Sequence, residues 1–331
     1  QAFTAYNTRI VAPPHGSMLP MSPVRKNILM VACALGLLIP VVIIFICENM
    51  NTRVRGRKDL ESVTVPFIGE IPLFTRKKKG IFRKKPQEVR AIVVKEGSRD
   101  IINEAFRVLR TNLEFMTGKD KASNVIIVTS FNPGSGKSFL TMNIAVSFAI
   151  KGKKVLVIDG DLRHGSASSY IDSPTKGLSD YLGGRIDNLN EIIVTNPKQK
   201  YLDILPVGPV PPNPTELLFD DRLKQVIDTV REQYEYVLID CPPIELVADT
   251  QIIEKLADRT IFVVRAGLLE LSMLAELEKI YGEKKYKNMS LILNGTEGSG
   301  GRYGYRYGYR YGYHYGYGSE YHYGSDEKYI E

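Results

Sequence analysis

The chain has 331 residues, 44% of them hydrophobic and 24% charged, which is enough for one large domain with additional segments. Its net charge of +7 comes from one stretch, because residues 48–99 contain fourteen Lys and Arg against six Asp and Glu. A nucleic-acid-binding domain would carry that charge on its folded surface, and the three cysteines lack metal-site or disulfide spacing, so we expect no nucleic-acid partner and no disulfide framework.

The chain opens with a proline-rich segment that leads into an apolar run. We interpret residues 1–26 as the end of an extracytoplasmic segment, and a first residue of Gln1 rather than Met indicates a fragment or processed product. Residues 27–47 are uncharged and long enough for a transmembrane helix. More Lys and Arg follow this run than precede it, so the positive-inside rule places the rest of the chain in the cytoplasm.

Residues 48–90 are predicted to be a basic cytoplasmic linker with little hydrophobic periodicity. Its Lys and Arg are concentrated at 53–58, 76–79 and 83–85. Clusters of this kind next to a membrane span are attracted to anionic headgroups, so membrane lipids are an expected partner of the linker.

Residues 91–298 alternate between helical and apolar strand patterns. A helix is predicted over 100–115, and helix-length segments such as 139–151 and 222–233 separate the strands. The predicted strands are 125–128, 155–158, 202–205, 236–239, 260–264 and 290–293. Short, wholly apolar strands between helices are typical of a parallel sheet covered on both faces. We therefore predict an α/β fold with a doubly wound parallel sheet.

A candidate phosphate-binding loop follows the first of these strands and precedes a helix. Gly134 and Gly136 would let backbone N–H groups converge on phosphate oxygens. Lys137 can reach the β- and γ-phosphates, and the Ser138 hydroxyl can hold Mg²⁺. Phe131 stands where the common motif has its first Gly. The predicted nucleotide-binding residues are Asn132, Pro133, Gly134, Ser135, Gly136, Lys137, Ser138 and Phe139.

Three carboxylates follow two further strands. Asp159 and Asp161 come directly after one strand and Asp240 after another. The carboxyl ends of parallel strands meet at the ligand-binding edge of such a sheet. Carboxylates gathered there repel one another unless a cation is present, so nucleotide-bound Mg²⁺ is the expected occupant.

The end of the chain alternates Tyr and Gly. Residues 299–331 lack the aliphatic side chains needed for a core, so we expect a disordered tail with accessible phenols. A phosphate-binding loop and a tyrosine-rich tail in one chain suggest an enzyme that modifies its own tail. The candidate phosphoacceptors are Tyr303, Tyr305, Tyr307, Tyr309, Tyr311, Tyr313, Tyr315, Tyr317, Tyr321, Tyr323 and Tyr329.

In this combination of motifs the chain resembles the bacterial tyrosine kinases (BY-kinases) of the capsular exopolysaccharide family. In that family the end of a Wzz-like polysaccharide co-polymerase module is joined to a P-loop kinase domain. Residues 132–138 resemble its Walker A motif, 157–163 its Walker A′ and 237–242 its Walker B. Residues 211–218 resemble a family signature to which we can assign no chemical role. Glu104, Arg107 and Arg110 match its E-x-x-R-x-x-R oligomerisation motif.

The resemblance implies transfer of the γ-phosphoryl group of ATP to tyrosine, with Mg²⁺ as cofactor. Lys137 would stabilise phosphate charge, and Asp159 would orient or deprotonate the phenol. Ser138, Asp161 and Asp240 would hold the metal directly or through water, with Asp161 also counted as catalytic. A ring-like homo-oligomer in the bacterial inner membrane is also implied, so that one subunit's tail enters its neighbour's site. Further implied partners are the polysaccharide polymerase and export machinery and a cognate tyrosine phosphatase.

Several alternatives stay open at this point. Glu104, Arg107 and Arg110 are three residues apart and would share one helix face, which could be an interface or an exposed salt-bridged surface. Positioning and partitioning ATPases resemble this chain in their motifs, but they carry a signature Lys where this chain has Asn132. A membrane scaffold with a vestigial nucleotide site is the non-catalytic alternative. Asn294 could read an adenine base or could be a structural turn residue.

Overall fold

The computed structural model describes residues 25–49, 51–74, 91–117, 124–197, 199–245 and 248–297. The chain divides into two compact units, residues 1–52 and 53–331. In the first unit, helix α1 (Arg25–Asn49) coincides with the predicted span and its apolar side chains are exposed. Its length and composition suffice for crossing a membrane, which no other helix of the described residues matches.

The second unit is built on one sheet of eight strands, which confirms the predicted fold class. The strands are β1 (Phe67–Pro72), β2 (Val125–Thr129), β3 (Val155–Asp159), β4 (Val194–Thr195), β5 (Leu202–Leu205), β6 (Tyr236–Asp240), β7 (Arg259–Arg265) and β8 (Met289–Thr296). Their order across the sheet is β1-β8-β7-β2-β6-β3-β5-β4. Every pairing is parallel except that of the two-residue β4 with β5. All six predicted strands are present.

Helices cover both faces of this sheet. The remaining helices are α2 (Ile101–Thr117), α3 (Lys137–Ile150), α4 (Leu178–Leu182), α5 (Pro214–Phe219), α6 (Asp221–Gln233), α7 (Asp249–Glu254) and α8 (Met273–Gly282). Side chains of α2 and α3 belong to one apolar core, and those of α4 to α8 to the other. Because successive residues of a strand face opposite sides, Val125 and Ile127 of β2 enter the second core, while Ile126 and Val128 enter the first.

The prediction of a linker is wrong for residues 53–74, because these residues belong to the folded second unit. Strand β1 lies inside that range and pairs with β8, and α2 packs on it. The buried Val54 donates its N–H to Leu269 O at 2.9 Å. Strand β1 has the sequence Phe-Ile-Gly-Glu-Ile-Pro, and as an edge strand it buries only Ile68 and Ile71. Periodicity alone therefore missed it. The basic clusters at 76–79 and 83–85 lie outside the described residues.

Two buried asparagines hold residues 91–97 against α2 and α3. Asn143 of α3 accepts hydrogen bonds from the N–H groups of Val93 (2.8 Å) and Val94 (3.2 Å). Its amide donates to Ala91 O at 3.2 Å. Asn103 of α2 accepts from Lys95 N at 2.7 Å. These side chains supply the hydrogen bonds that a neighbouring strand would otherwise provide.

Substituting Asn143 with Ala should destabilise the domain by about 2–4 kcal/mol, because two buried N–H groups would lose their acceptor. Asn112→Ala is the matched control, since Asn112 makes one part-buried bond, to Ile68 O at 2.8 Å. Its loss should cost only about 1 kcal/mol. Urea denaturation of both variants measures the difference, and equal losses would contradict this account of residues 91–97.

Candidate active site

The phosphate-binding loop lies between β2 and α3, as the sequence predicts. Gly134 and Gly136 have left-handed φ angles of 74° and 87°, which glycine adopts without strain. The Ser130 and Ser135 hydroxyls both donate to Asn132 O at 2.8 Å and so fix the turn. Gly136 immediately precedes α3, so the free N–H groups of that helix's first turn face the loop.

Two aromatic residues flank this loop and belong to the core. Phe131, which replaces the usual first glycine, is 2% exposed, and its ring packs edge-on against Phe262 at 4.9 Å. Phe139 packs against Phe106 at 6.0 Å. The Phe139 ring is partly buried against the α2 side of the core, and its role in nucleotide binding stays a prediction.

Asn294 of β8 supports the loop from the neighbouring strand. It is 4% exposed, and its amide donates to Ser135 O at 2.8 Å. A Cβ on Gly136 would collide with this amide, so glycine is required there both for its φ angle and for space. Of the two readings left open by the sequence, the structure favours the structural one, because the Asn294 amide is engaged with the loop backbone.

Asp159 and Asp240 lie side by side at the carboxyl edge of the sheet. They end the adjacent strands β3 and β6 and are paired in register. Both are almost completely buried. Asp159 Oδ2 accepts hydrogen bonds from Ser168 N (2.6 Å) and Ser168 Oγ (2.7 Å). Asp159 Oδ1 and both oxygens of Asp240 accept no hydrogen bond of normal geometry from the described residues.

This arrangement disfavours the charged forms of both carboxyls. Burial, together with the charge of Asp240, raises the pKa of Asp159 to about 8. Burial also raises the pKa of Asp240 to about 6, while the nearby Ser138 hydroxyl and Lys137 ammonium hold it down. Lys137 is 9% exposed, so its charge acts in a poorly solvated environment. The loop and the two strand-end carboxylates therefore form one electrostatic unit.

Asp161 is held by the turn that follows β3. Its Oδ1 accepts from Arg163 N and His164 N, both at 3.2 Å, and His164 Nδ1 lies 3.3 Å away. All hydrogen bonds that the described residues make with this carboxylate go to Oδ1. The other oxygen, Oδ2, is therefore available to a ligand.

The donor set fits a hard divalent cation bound together with a nucleotide. Three buried carboxylate oxygens of Asp159 and Asp240 accept no hydrogen bond of normal geometry from the part of the chain that the structure describes, and a cation would balance their negative charge. Within the described residues, no three acidic, His or Cys side chains form a self-sufficient metal cage. Mg²⁺ does not need one, because it is usually held by one or two carboxylates, substrate phosphates and water. Ser138, Asp161 and Asp240 are the side chains that could contribute.

The predicted oligomerisation residues Glu104, Arg107 and Arg110 lie on α2. Glu104 and Arg107 pair with each other at 2.6 Å and are partly exposed. Arg110 instead points at α3 and donates to Ser147 O at 2.9 Å. The expectation that all three share one helix face is therefore wrong for Arg110, because two successive steps of three residues place it about 120° around the helix from Glu104.

Comparisons with known proteins show the family of this chain. A family model described as an AAA domain matches residues 123–291. The tyrosine-protein kinase YwqD of Bacillus subtilis (strain 168) is 35% identical over 209 residues, which cover 63% of this chain and 87% of YwqD. The chain belongs to the bacterial tyrosine-protein kinases.

Two further comparisons concern a relative that is longer than this chain and a solved structure that superposes on it. The tyrosine-protein kinase Etk of Escherichia coli (strain K12) is 32% identical over 79% of this chain, but the match covers only 37% of Etk. The solved structure of the kinase domain of Escherichia coli tyrosine kinase ETK superposes with a TM-score of 0.65 and 29% identity, covering 80% of this chain and 100% of that domain. The family resemblance inferred from the sequence is confirmed. Whether a Wzz-like module precedes the chain stays a prediction.

Asn294→Ala in this bacterial tyrosine-protein kinase should weaken ATP and GTP binding by the same factor, about 3- to 10-fold, because the loop loses one supporting hydrogen bond. Calorimetric titration with both nucleotides measures this. Ser290→Ala, four residues earlier on the same strand, is the control and should change the affinity for either nucleotide little. A loss confined to ATP would show instead that Asn294 reads the base.

Asp159→Asn should stabilise the nucleotide-free kinase increasingly as pH rises. The raised pKa of Asp159 means that its carboxyl stabilises the fold below about pH 4 and that this stability is lost as pH rises through about 8. Asn carries no such penalty, so the gain should reach ~1 kcal/mol or more, about 2–4 °C in Tm, above pH 8.

Thermal melts in EDTA across this pH range test the expectation. Asp228→Asn on the exposed face of α6 is the matched control, since it removes a carboxylate without burial. A gain that is independent of pH, or equal in both variants, would contradict the electrostatic account of the pair.

Proposed function

We propose that the chain is an ATP- and Mg²⁺-dependent tyrosine autokinase that phosphorylates its own C-terminal tyrosines, in trans within a homo-oligomer. The observation that carries the proposal is the grouping of Lys137 and Ser138 with the buried carboxylates of Asp159 and Asp240, three oxygens of which accept no hydrogen bond of normal geometry from the described residues. That grouping provides a phosphate cradle, a fixed positive charge and oxygens for a cation at one end of the sheet.

Different residues of the chain have different roles in the reaction. Loop N–H groups and Lys137 bind the phosphates and stabilise negative charge as the γ-phosphoryl group is transferred. The phenol oxygen forms a bond to the γ-phosphorus while the bond to the β–γ bridging oxygen breaks and ADP leaves. Asp159 Oδ1 would accept the phenol proton, because Ser168 bonds only the other oxygen of this carboxylate. Bound Mg²⁺ would neutralise phosphate charge, with Ser138, Asp161 and Asp240 as its protein ligands.

The exit point of the tail supports the choice of substrate. Strand β8 runs parallel to β7, so its end lies at the same sheet edge as the phosphate-binding loop. Asn294, two residues before that end, already contacts Ser135 O. The tyrosines from Tyr303 onward lie outside the described residues, but they follow β8 in the sequence by only a few residues. A tail that starts beside the site can serve the same or a neighbouring subunit.

The cellular role follows from the membrane helix and the relatives. Helix α1 precedes the domain, and the basic residues after it favour a cytoplasmic kinase on the bacterial inner membrane with anionic lipids as a contact. Etk and YwqD are named tyrosine-protein kinases. We infer that phosphorylation regulates capsular or exopolysaccharide polymerisation and export. The polymerase and export machinery and a tyrosine phosphatase would be its partners.

The alternatives fit less well. A positioning or partitioning ATPase would carry a lysine where this chain has Asn132, whose amide contacts Glu245 Oε2 at 3.3 Å. A scaffold with a vestigial site would not be expected to keep two adjacent carboxyls, Asp159 and Asp240, buried with three oxygens that the described residues do not bond, since that arrangement costs stability. The membrane helix also disfavours a freely cycling soluble switch.

Incubation with labelled ATP and Mg²⁺ should phosphorylate tail tyrosines in the intact chain. Lys137→Met should lower the rate by about 100-fold or more, because the phosphates lose their fixed charge. A chain truncated after Gly301 should hydrolyse ATP but incorporate no label.

Mixing these two variants tests transfer between subunits. The truncated chain has an active site and the Lys137→Met chain has the tail, so label on the latter demonstrates action in trans. An unlabelled mixture alongside a labelled intact chain would restrict the reaction to cis. No phosphotyrosine in any sample would remove the proposed function.

Phosphorylation should also shrink the assembly. Each phosphate adds about −1.5 to −2 charges, and eleven clustered sites would repel one another across a ring. Native mass measurement before and after phosphatase treatment should show larger assemblies after dephosphorylation. The truncated chain is the control and should not respond. An assembly mass that phosphatase leaves unchanged would contradict charge-driven opening.

A further inference from the structure

Three side chains outside the phosphate-binding loop form a closed hydrogen-bonded cluster. Arg163 Nε donates to Asp249 Oδ2 at 3.2 Å, and Arg163 Nη2 donates to Thr215 Oγ1 at 2.9 Å. Thr215 Oγ1 in turn donates to Asp249 Oδ1 at 2.6 Å. Each member contacts the other two, and both oxygens of the Asp249 carboxylate are used.

The cluster joins three parts of the chain that are distant in sequence. Arg163 lies in the turn after β3, and Asp249 is in the first turn of α7, beyond the Walker B strand β6. Thr215 is in α5, within the 211–218 signature that had no assigned role. The side chain of Asp249 is only 1% exposed, whereas that of Arg163 is 36% exposed. A buried carboxylate with a charged partner holds that partner in a defined position.

The signature sequence explains how Thr215 is presented. Asn213 occupies the N-cap position of α5, and its side-chain amide donates to Glu216 Oε2 at 2.7 Å. Pro214 occupies the first turn of α5, where a missing N–H costs nothing. Leu218 is 2% exposed and anchors the helix in the core. A short, rigid helix start therefore directs the Thr215 hydroxyl at Asp249.

Arg163 connects this cluster to Asp161. The N–H of Arg163 donates to Asp161 Oδ1, and the N–H groups of His164 (3.2 Å) and Gly165 (2.9 Å) donate to Asp161 O. The conformation of residues 161–165 thus fixes the Asp161 carboxylate. Anchoring the Arg163 side chain at Asp249 and Thr215 fixes that turn from its other side.

We propose that Thr215 and Asp249 are positioning residues that act through Arg163 to hold Asp161 in the orientation that binds the nucleotide-associated cation. The 211–218 signature then has a chemical role, which is to supply the hydroxyl that completes this cluster. The proposal rests on the proposed function in one respect, namely that Asp161 is a ligand of Mg²⁺. Partners of this kind orient a metal ligand and set its affinity without touching the metal.

Matched substitutions at Thr215 in the full chain test this. Thr215→Val keeps the shape and removes the hydroxyl, whereas Thr215→Ser keeps the hydroxyl. Affinity for a non-hydrolysable ATP analogue is measured with Mg²⁺ and with EDTA. Thr215→Val should weaken binding about 10-fold with Mg²⁺ and leave binding in EDTA unchanged, and Thr215→Ser should behave like the parent chain.

Other outcomes overturn the proposal. If Thr215→Val weakens nucleotide binding equally with and without Mg²⁺, Thr215 has a general structural role. If it does not weaken nucleotide binding at all, Thr215 has no role in holding Asp161. If Thr215→Val does not fold, Arg163→Lys decides by the same criterion, because it keeps the charge but loses the forked contacts to Asp249 and Thr215. These measurements need no phosphoryl transfer. A chain that shows the Mg²⁺-specific loss but never forms phosphotyrosine would retain this inference and lose the proposed function.

Discussion

Two carboxylates that cannot easily both be charged organise this domain. Parallel pairing of β3 and β6 places Asp159 opposite Asp240 at the end of both strands, and burial removes the water that would screen them. Burial therefore raises the pKa of both carboxyls, and ionising them lowers the free energy of unfolding. A cation delivered with a nucleotide would relieve that cost, so stability and ligand binding are coupled at the same atoms.

The surrounding residues hold the carboxylates and the loop in place but leave some carboxylate oxygens without a hydrogen bond from the described residues. Ser168 occupies one oxygen of Asp159 and leaves the other open. Asn294 reaches across from β8 to hold the loop that carries Lys137. Strand β2 lies between β6 and β7 in the middle of the sheet, so the loop that follows it emerges beside the carboxylate pair rather than next to the outermost strands. The phosphate cradle and the acidic oxygens thereby face the same space.

The buried strands and the loop could be read from the sequence, because wholly apolar runs and glycine spacing reflect local physics. Strand β1 could not, since an edge strand needs only two buried side chains and tolerates Gly69 and Glu70. The inward turn of Arg110 depends on where α3 packs, which no local pattern encodes. Thr215 and Asp249 are 34 residues apart, so their contact follows from the tertiary fold alone. Long-range polar contacts of this kind have no periodic signature.

Locating a bound cation would test whether the buried carboxylates and the phosphate-binding loop form one cation-binding site. Crystals of the domain grown with Mn²⁺ and a non-hydrolysable ATP analogue would reveal the ion by its anomalous scattering. One strong peak is expected next to the Ser138 hydroxyl, with a carboxylate oxygen of Asp161 or Asp240 in the coordination shell of the ion, directly or through one water. A nucleotide-loaded site whose Mn²⁺ lies away from all three side chains would contradict this expectation.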